Sequence, residues 1–163
     1  MSKRSSSEKD KVYKFVHHQT DWIQTNLLGR EFENEWLKIA ADGKISLRCS
    51  KDRGYAWDGC SPKWNFIHLM WGTPDGKLDY RTEKPITYYS SMFHDVIYQF
   101  KSEVPISRKE SDILFKIMLQ DAKFMWWSVY GFAVRTFGGF YGKWFREESQ
   151  TDIQVLGYSW LEE

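Results

Sequence analysis

Apolar and polar residues alternate from Glu35 to Ile39 and again from Lys44 to Cys49, on either side of Ala41-Asp42-Gly43. A period of two marks a strand with one buried face. Asp-Gly between two such runs signals a hairpin, because glycine supplies the positive φ that a tight reversal needs. The pattern predicts a β-hairpin with Trp36, Ile39, Ile45 and Leu47 on or near its buried face. A further short strand is expected through Tyr55 to Trp57, running into the Asp58-Gly59 turn that Pro62 closes. Trp64 to Trp71 suggests a helical turn before the Thr73-Pro74-Asp75-Gly76 loop, whereas Val12 to Leu28 is too weakly periodic to fix a conformation.

From Pro85 the period lengthens to that of a helix. Tyr89, Phe93, Val96, Ile97 and Phe100 recur at helical intervals and predict a helix from Pro85 to Lys101. Ser91, His94, Asp95 and Tyr98 fall at i, i+3, i+4 and i+7, which places all four on one polar side of it. Pro105 marks its end, and Ser107-Arg108-Lys109-Glu110 reads as a capping box opening a second helix to Asp121. The connecting loop is short, so the two helices should pack antiparallel and bring Asp112 close to the level of His94 and Tyr98. A third helix is expected from Ala122 to Phe137, ending at Gly138-Gly139. Its apolar stretch, Phe124 to Val134, falls short of the ~20 residues a bilayer span requires and reads as a core helix or a docking surface. The fold class is α+β: a small antiparallel sheet in the N-terminal half, roughly Trp36 to Trp57, packed against about three helices in the C-terminal half.

Composition narrows the picture further. The chain of 163 residues is long enough to bury a core of its own. Residues 1–11 read as a flexible polar tail, with Lys3, Arg4, Lys9 and Lys11 offset by Glu8 and Asp10, ahead of a single domain over 12–163. No apolar stretch follows Arg4, so no signal peptide is expected and a cytoplasmic location is the default. A net charge of +1 gives no global field for nucleic acid, which is not an expected partner. Cys49 and Cys60 are expected as free thiols, and His17, His18 and His68 have no Cys or His at zinc spacing. The aromatic content of 18%, with nine Trp, implies a stiff core or an adhesive surface.

Two places carry candidate chemistry. Neighbouring helical residues point about 100° apart, so Asp95 cannot orient the His94 ring and Asp112 is the carboxylate positioned to do so. His94 would then serve as a general base toward water, with Asp112 fixing its tautomer and Tyr98 in support. Asp95 would be left to hold a cation or a polar group of the substrate. The same residues also suit a buried network that fixes helix packing, with Arg108 paired to Asp112 at i+4. The second place is Asp58-Gly59-Cys60-Ser61, where Ser61 or Cys60 with His94 and Asp112 would make a triad by residue type. It lacks the glycine-serine elbow of known hydrolases, and Asp58 equally suits a turn that caps backbone amides. Asp58 and Asp95 together with turn carbonyls would form an oxygen-rich site of the kind calcium prefers.

At these residues the chain resembles a family of uncharacterised tailed-phage and prophage proteins built around an Asp-Gly-Ala-Ser-x-Pro turn and a His-Asp-x-x-Tyr helix. The matching features are Asp58-Gly59-Cys60-Ser61-Pro62, His94-Asp95-Val96-Ile97-Tyr98, Arg108 with Asp112 and Phe115, and Val134-Arg135-Thr136-Phe137-Gly138. Cys60 stands where the pattern has alanine, which argues against a thiol nucleophile, and Pro62 follows Ser61 directly. The resemblance implies a phage-encoded protein. A local second resemblance, to the His-Asp helix of phospholipase A2, implies His94 as base, Asp95 as calcium ligand, and Tyr98 and Asp112 as supports; that family's cysteine-rich scaffold and calcium loop are missing. The expectation is a phage-encoded hydrolase of an ester or amide, cation-dependent if calcium binds, acting on a small-molecule, lipid or peptide substrate in the host cytoplasm. The alternative is a non-catalytic virion component, or a factor that binds a host protein through the aromatic surface Phe124 to Trp144.

Overall fold

A computed structural model describes residues 13–59, 77–137 and 142–162, with side chains in the last helix described as far as residue 132. The predicted hairpin forms between β4 (Leu37–Ile39) and β5 (Lys44–Leu47), in antiparallel register with Leu37 opposite Leu47 and Ile39 opposite Ile45. Ile39, Ile45 and Leu47 are buried, and Trp36 packs half-buried against them. The turn is a three-residue loop in which Gly43 takes φ +86°. Its N–H reaches Ala40 O at 2.9 Å, while Ala40 N–H bonds Lys44 O at 2.9 Å. Gly43 also accepts from the Thr25 backbone N–H at 3.0 Å and from the Thr25 hydroxyl at 2.7 Å. A Cβ there would lie 2.2 Å from Thr25 O, so conformation and space both require glycine.

That hairpin is the centre of a five-stranded antiparallel sheet of spatial order β3-β4-β5-β2-β9, where β3 is Phe32–Glu33, β2 is Asp21–Thr25 and β9 is Val155–Tyr158. Residues of the undecided Val12 to Leu28 stretch therefore supply strands: β2, and also β1 (Phe15–His17). The predicted Tyr55–Trp57 strand, β6, pairs antiparallel with β1, with His17 opposite Tyr55. β7 (Leu78–Asp79) and β8 (Lys84–Pro85) form a small separate ribbon. Among the described residues, small antiparallel sheets in the N-terminal half and three α-helices after them make the fold α+β.

The first helix, α1, spans Tyr88–Gln99, and α2 spans Arg108–Asp121. The capping box is present. Glu110 N–H bonds the Ser107 hydroxyl at 3.2 Å, and the Glu110 carboxylate accepts the Ser107 backbone N–H at 2.8 Å. Met92, Phe93, Val96 and Ile97 of α1 and Leu114 and Met118 of α2 join Ile23, Ile39, Ile45, Leu47 and Trp57 in one core cluster.

The third helix, α3, spans Trp127–Phe137 and so begins at Trp127 rather than Ala122. Lys123 adopts φ +56°, Phe124 N–H bonds Leu119 O at 3.0 Å, and Lys123 N–H bonds Gln120 O at 2.9 Å. This is a Schellman termination with lysine in the left-handed position, sealed by the Leu119–Phe124 contact. It stops α2 and redirects the chain before α3 starts. The helical turn expected at Trp64 to Trp71 and the Gly138-Gly139 terminator lie outside the described residues.

Candidate functional site

The polar stripe of α1 divides into two rows with different destinations. His94 and Tyr98, at i and i+4, face α2. Ser91 and Asp95, one step round the helix, face β6. The division follows from α1 being covered on more than one side, so that the two edges of a stripe meet different elements.

On the α2 side, His94 Nε2 lies 3.0 Å from Asp112 Oδ1, and the Tyr98 hydroxyl donates to the same oxygen at 2.6 Å. A carboxylate oxygen accepts, so this contact suits a ring proton on Nε2. No further hydrogen bond to His94 occurs among the described residues. The imidazole is held from two other sides, with the Tyr98 ring centroid at 4.2 Å and that of Phe115 at 4.9 Å. Trp144 packs edge-on against Tyr98 at 4.8 Å. Asp112 is buried, with Arg108 Nε 3.8 Å from Oδ2, the expected i+4 ion pair. Burial and the Asp112 charge push the Tyr98 phenol above its ordinary pKa, so it stays protonated and donating at neutral pH. The His94 side chain keeps 15% of its surface exposed and Asp112 only 4%, so the ring is the member of the pair that solvent or substrate can reach.

On the β6 side, the Tyr55 hydroxyl donates to Asp95 Oδ2 at 2.6 Å, and Trp57 Nε1 donates to the Ser91 hydroxyl at 3.1 Å. The Asp95 carboxylate is thus engaged by Tyr55 rather than turned toward His94. Asp58 is half-buried at the end of β6, beside Gly59 at φ +71°. Calcium prefers six to eight oxygen ligands. Among the described residues no group of three His, Cys, Asp or Glu side chains comes together to hold a metal, and Asp58 and Asp95 do not add up to such a site. Ser61, Cys60 and Pro62 lie outside the described residues. Cys49 is a buried free thiol whose pKa burial raises.

A second histidine–carboxylate network was not anticipated. His17 is buried, with Nε2 2.8 Å from Asp21 Oδ2 and Nδ1 3.1 Å from the Tyr88 hydroxyl. Asp21 also accepts from the Ser159 hydroxyl at 2.6 Å and from Gln19 at 2.9 Å. Burial raises the Asp21 pKa, but the bonds from His17, Ser159 and Gln19 outweigh it and hold the carboxyl below its ordinary range. His17 is buried, with Nδ1 on Tyr88 and Nε2 beside Asp21, and Tyr88 is buried among Phe15, Trp57 and Tyr89, so this cluster ties β1, β2 and α1 together away from solvent. The available signal was the alternation in Asp21–Thr25, which turns Asp21, Ile23 and Thr25 inward.

A cleft of about 20 Å³, room for about one water, lies at the other end of α1 and is lined by Asp79, Arg81, Tyr89, Asp121, Tyr158 and Trp160, among others. His94 does not border it. Met125 and Phe132 are each 71% exposed and Phe145 is 66% exposed, whereas Phe124 and Tyr130 are buried. No helix among the described residues is long and apolar enough to cross a membrane. No family model, curated protein or solved structure matches the chain.

Proposed function

We propose that the protein is a phage-encoded hydrolase of an ester or amide, acting in the host cytoplasm, with His94 as general base and Asp112 as the residue that positions it. The observation that carries this reading is the sharing of one buried carboxylate oxygen by His94 Nε2 and Tyr98, which leaves Nδ1 as the basic atom on a ring that is not sealed in. In the reaction His94 Nδ1 takes a proton from a water as its oxygen adds to the carbonyl carbon, and the Asp112 charge stabilises the imidazolium. The proton then passes from Nδ1 to the departing alcohol or amine, and the acyl group leaves as a carboxylic acid. Tyr98 and Arg108 hold Asp112 in place. The phage assignment rests on the turn and helix motifs at Asp58 and His94.

The test is hydrolysis of a panel of chromogenic esters and amides by the full chain and by His94→Gln and Asp112→Asn, each checked for fold by circular dichroism. General-base catalysis contributes about 10²–10⁴-fold, so folded His94→Gln should lose that much. Equal activity in folded His94→Gln, or no turnover of any panel member by the wild type, rejects the reading.

A further inference from the structure

A row of neighbouring aromatic rings runs through the core of this protein. Half-buried Trp36 lies 5.7 Å from Tyr55 between ring centres, Tyr55 lies 6.2 Å from Trp57, and Trp57 lies 4.8 Å from Tyr88. From Tyr88 the row continues to Tyr89 at 5.1 Å, and Tyr89 stacks on half-buried Trp160 at 3.9 Å with 2° between the ring planes. Tyr55, Trp57 and Tyr88 are buried, so the row has two partly exposed tryptophan ends and a dry middle. In that middle the Tyr88 hydroxyl meets a base. His17 Nδ1 lies 3.1 Å from it, and His17 Nε2 lies 2.8 Å from Asp21 Oδ2. A carboxylate beside Nε2 suits a ring proton there, which leaves Nδ1 to accept the Tyr88 O–H.

We infer that Tyr88 is a redox-active tyrosine, which gives one electron through the ring row to a one-electron oxidant at the protein surface and its phenolic proton to His17 Nδ1. Electron exchange between rings falls steeply with separation, and contacts of this length divide the path into short steps. An oxidised phenol is a strong acid, so away from water it persists as the neutral radical when a base beside it takes the proton. The step balances: the Tyr88 O–H bond breaks, an Nδ1–H bond forms, the oxidant gains one electron, and a neutral tyrosyl radical remains beside an imidazolium. The Asp21 carboxylate stabilises that imidazolium, and return of the electron sends the proton back. Burial, with the Asp21 charge, pushes the Tyr88 pKa up to about 12, so the proton stays on the oxygen until the electron leaves. Its neighbours in the row are less suited to hold the radical. Tyr55 donates to the Asp95 carboxylate at 2.6 Å, and a carboxylate is a weaker base than imidazole. Trp57 Nε1 donates at 3.1 Å to the Ser91 hydroxyl, which takes up no proton at neutral pH, so Trp57 passes the oxidising equivalent on. None of this chemistry involves His94.

Flash oxidation of the full chain, labelled with ¹⁵N-histidine, tests it. Ruthenium tris-bipyridyl with a cobalt(III) pentaammine acceptor supplies the one-electron oxidant, and the sample is freeze-trapped for electron paramagnetic resonance. The wild type should give a tyrosyl radical coupled to a histidine ¹⁵N and to a proton that exchanges in deuterium oxide. A radical on an exposed ring such as Tyr80 would show no ¹⁵N coupling. Tyr88→Phe, with its fold verified, should lose the coupled signal. Folded His17→Gln should lose the ¹⁵N coupling and the long-lived radical, because glutamine cannot take the proton. Absence of a tyrosyl radical in the wild type, or a radical without ¹⁵N coupling, overturns the proposal and needs no variant. So does a coupled signal that persists in folded Tyr88→Phe, or a radical equally long-lived in folded His17→Gln.

Discussion

Replacing Glu110 with alanine removes the centre of the knot that holds α2, and with it Asp112, against the rest of the fold. The Glu110 side chain has no exposed surface and its carboxylate is fully engaged. Arg30 donates to both its oxygens at 2.7 Å, Ser107 N–H donates at 2.8 Å, and Gln150 N–H donates at 2.7 Å. One side chain therefore joins the loop after β2, the N-terminus of α2 and the chain entering β9. Alanine would strand the buried Arg30 guanidinium and two backbone donors, and breaking a buried pair from one side costs about 3–5 kcal/mol. Against a domain stability of about 5–15 kcal/mol, that is a large fraction. Urea unfolding at neutral pH, followed by both tryptophan fluorescence and far-ultraviolet circular dichroism, measures it. Arg30→Met with Glu110→Leu should recover much of the loss, because it leaves no buried charge alone. A loss below about 1 kcal/mol for Glu110→Ala, or a double variant no better than the single, would show that this buried pair does not hold α2 in place.

Stability should fall at both ends of the pH scale. Burial raises the carboxyl pKa values of Glu110, Asp21 and Asp79, but their hydrogen bonds and ion pairs outweigh it and set the folded values below the ordinary 4.5 and 3.8. Their contribution is complete above those values and is lost as pH falls through the lower folded ones. Tyr88, pushed up from 10 to about 12 by burial and then by the Asp21 charge, works in the opposite sense: its contribution is complete below about pH 10 and is lost toward 12. Thermal melts across pH 2–12 should show both limbs, and a flat profile below pH 4 would contradict the first. Gly43→Ala should destabilise by about 2 kcal/mol or more, through positive φ and collision with Thr25 O, read as a lowered urea midpoint. Lys123→Gly should stabilise by about 0.5–1 kcal/mol, since glycine takes the left-handed position of the α2 terminator without strain; an unchanged midpoint would count against that strain.

Features with local signatures were legible in the sequence. The Asp42-Gly43 hairpin and the Ser107–Glu110 capping box formed where their residues stand, because both are decided within a few residues. The short Phe100–Ser107 connection likewise sufficed to bring Asp112 to His94 and Tyr98. Pairings made over long separations carry no such mark. β9 joins β2 from more than a hundred residues away, and nothing around Val155 distinguishes a strand from an aromatic tail. His17 and Asp21 were hidden by their polarity, since inward positions are recognised by apolar residues, whereas these two face each other and bond Tyr88, Ser159 and Gln19. The engagement of Asp95 by Tyr55 depended on β6 docking beside α1, a tertiary fact that helical spacing cannot encode. The early start predicted for α3 failed at Lys123, where a lysine fills a place usually marked by glycine.

On the proposed mechanism Asp112 fixes His94 as the tautomer protonated on Nε2, with Nδ1 presented as the base. Long-range ¹H–¹⁵N correlation of the imidazole nitrogens at neutral pH reads this directly, in the wild type and in Asp112→Asn. The wild type should show Nε2–H with an unprotonated Nδ1, and the variant, whose amide can donate where the carboxylate accepted, should lose that preference. A proton on Nδ1 in the folded wild type, or a tautomer unchanged by Asp112→Asn, would contradict it.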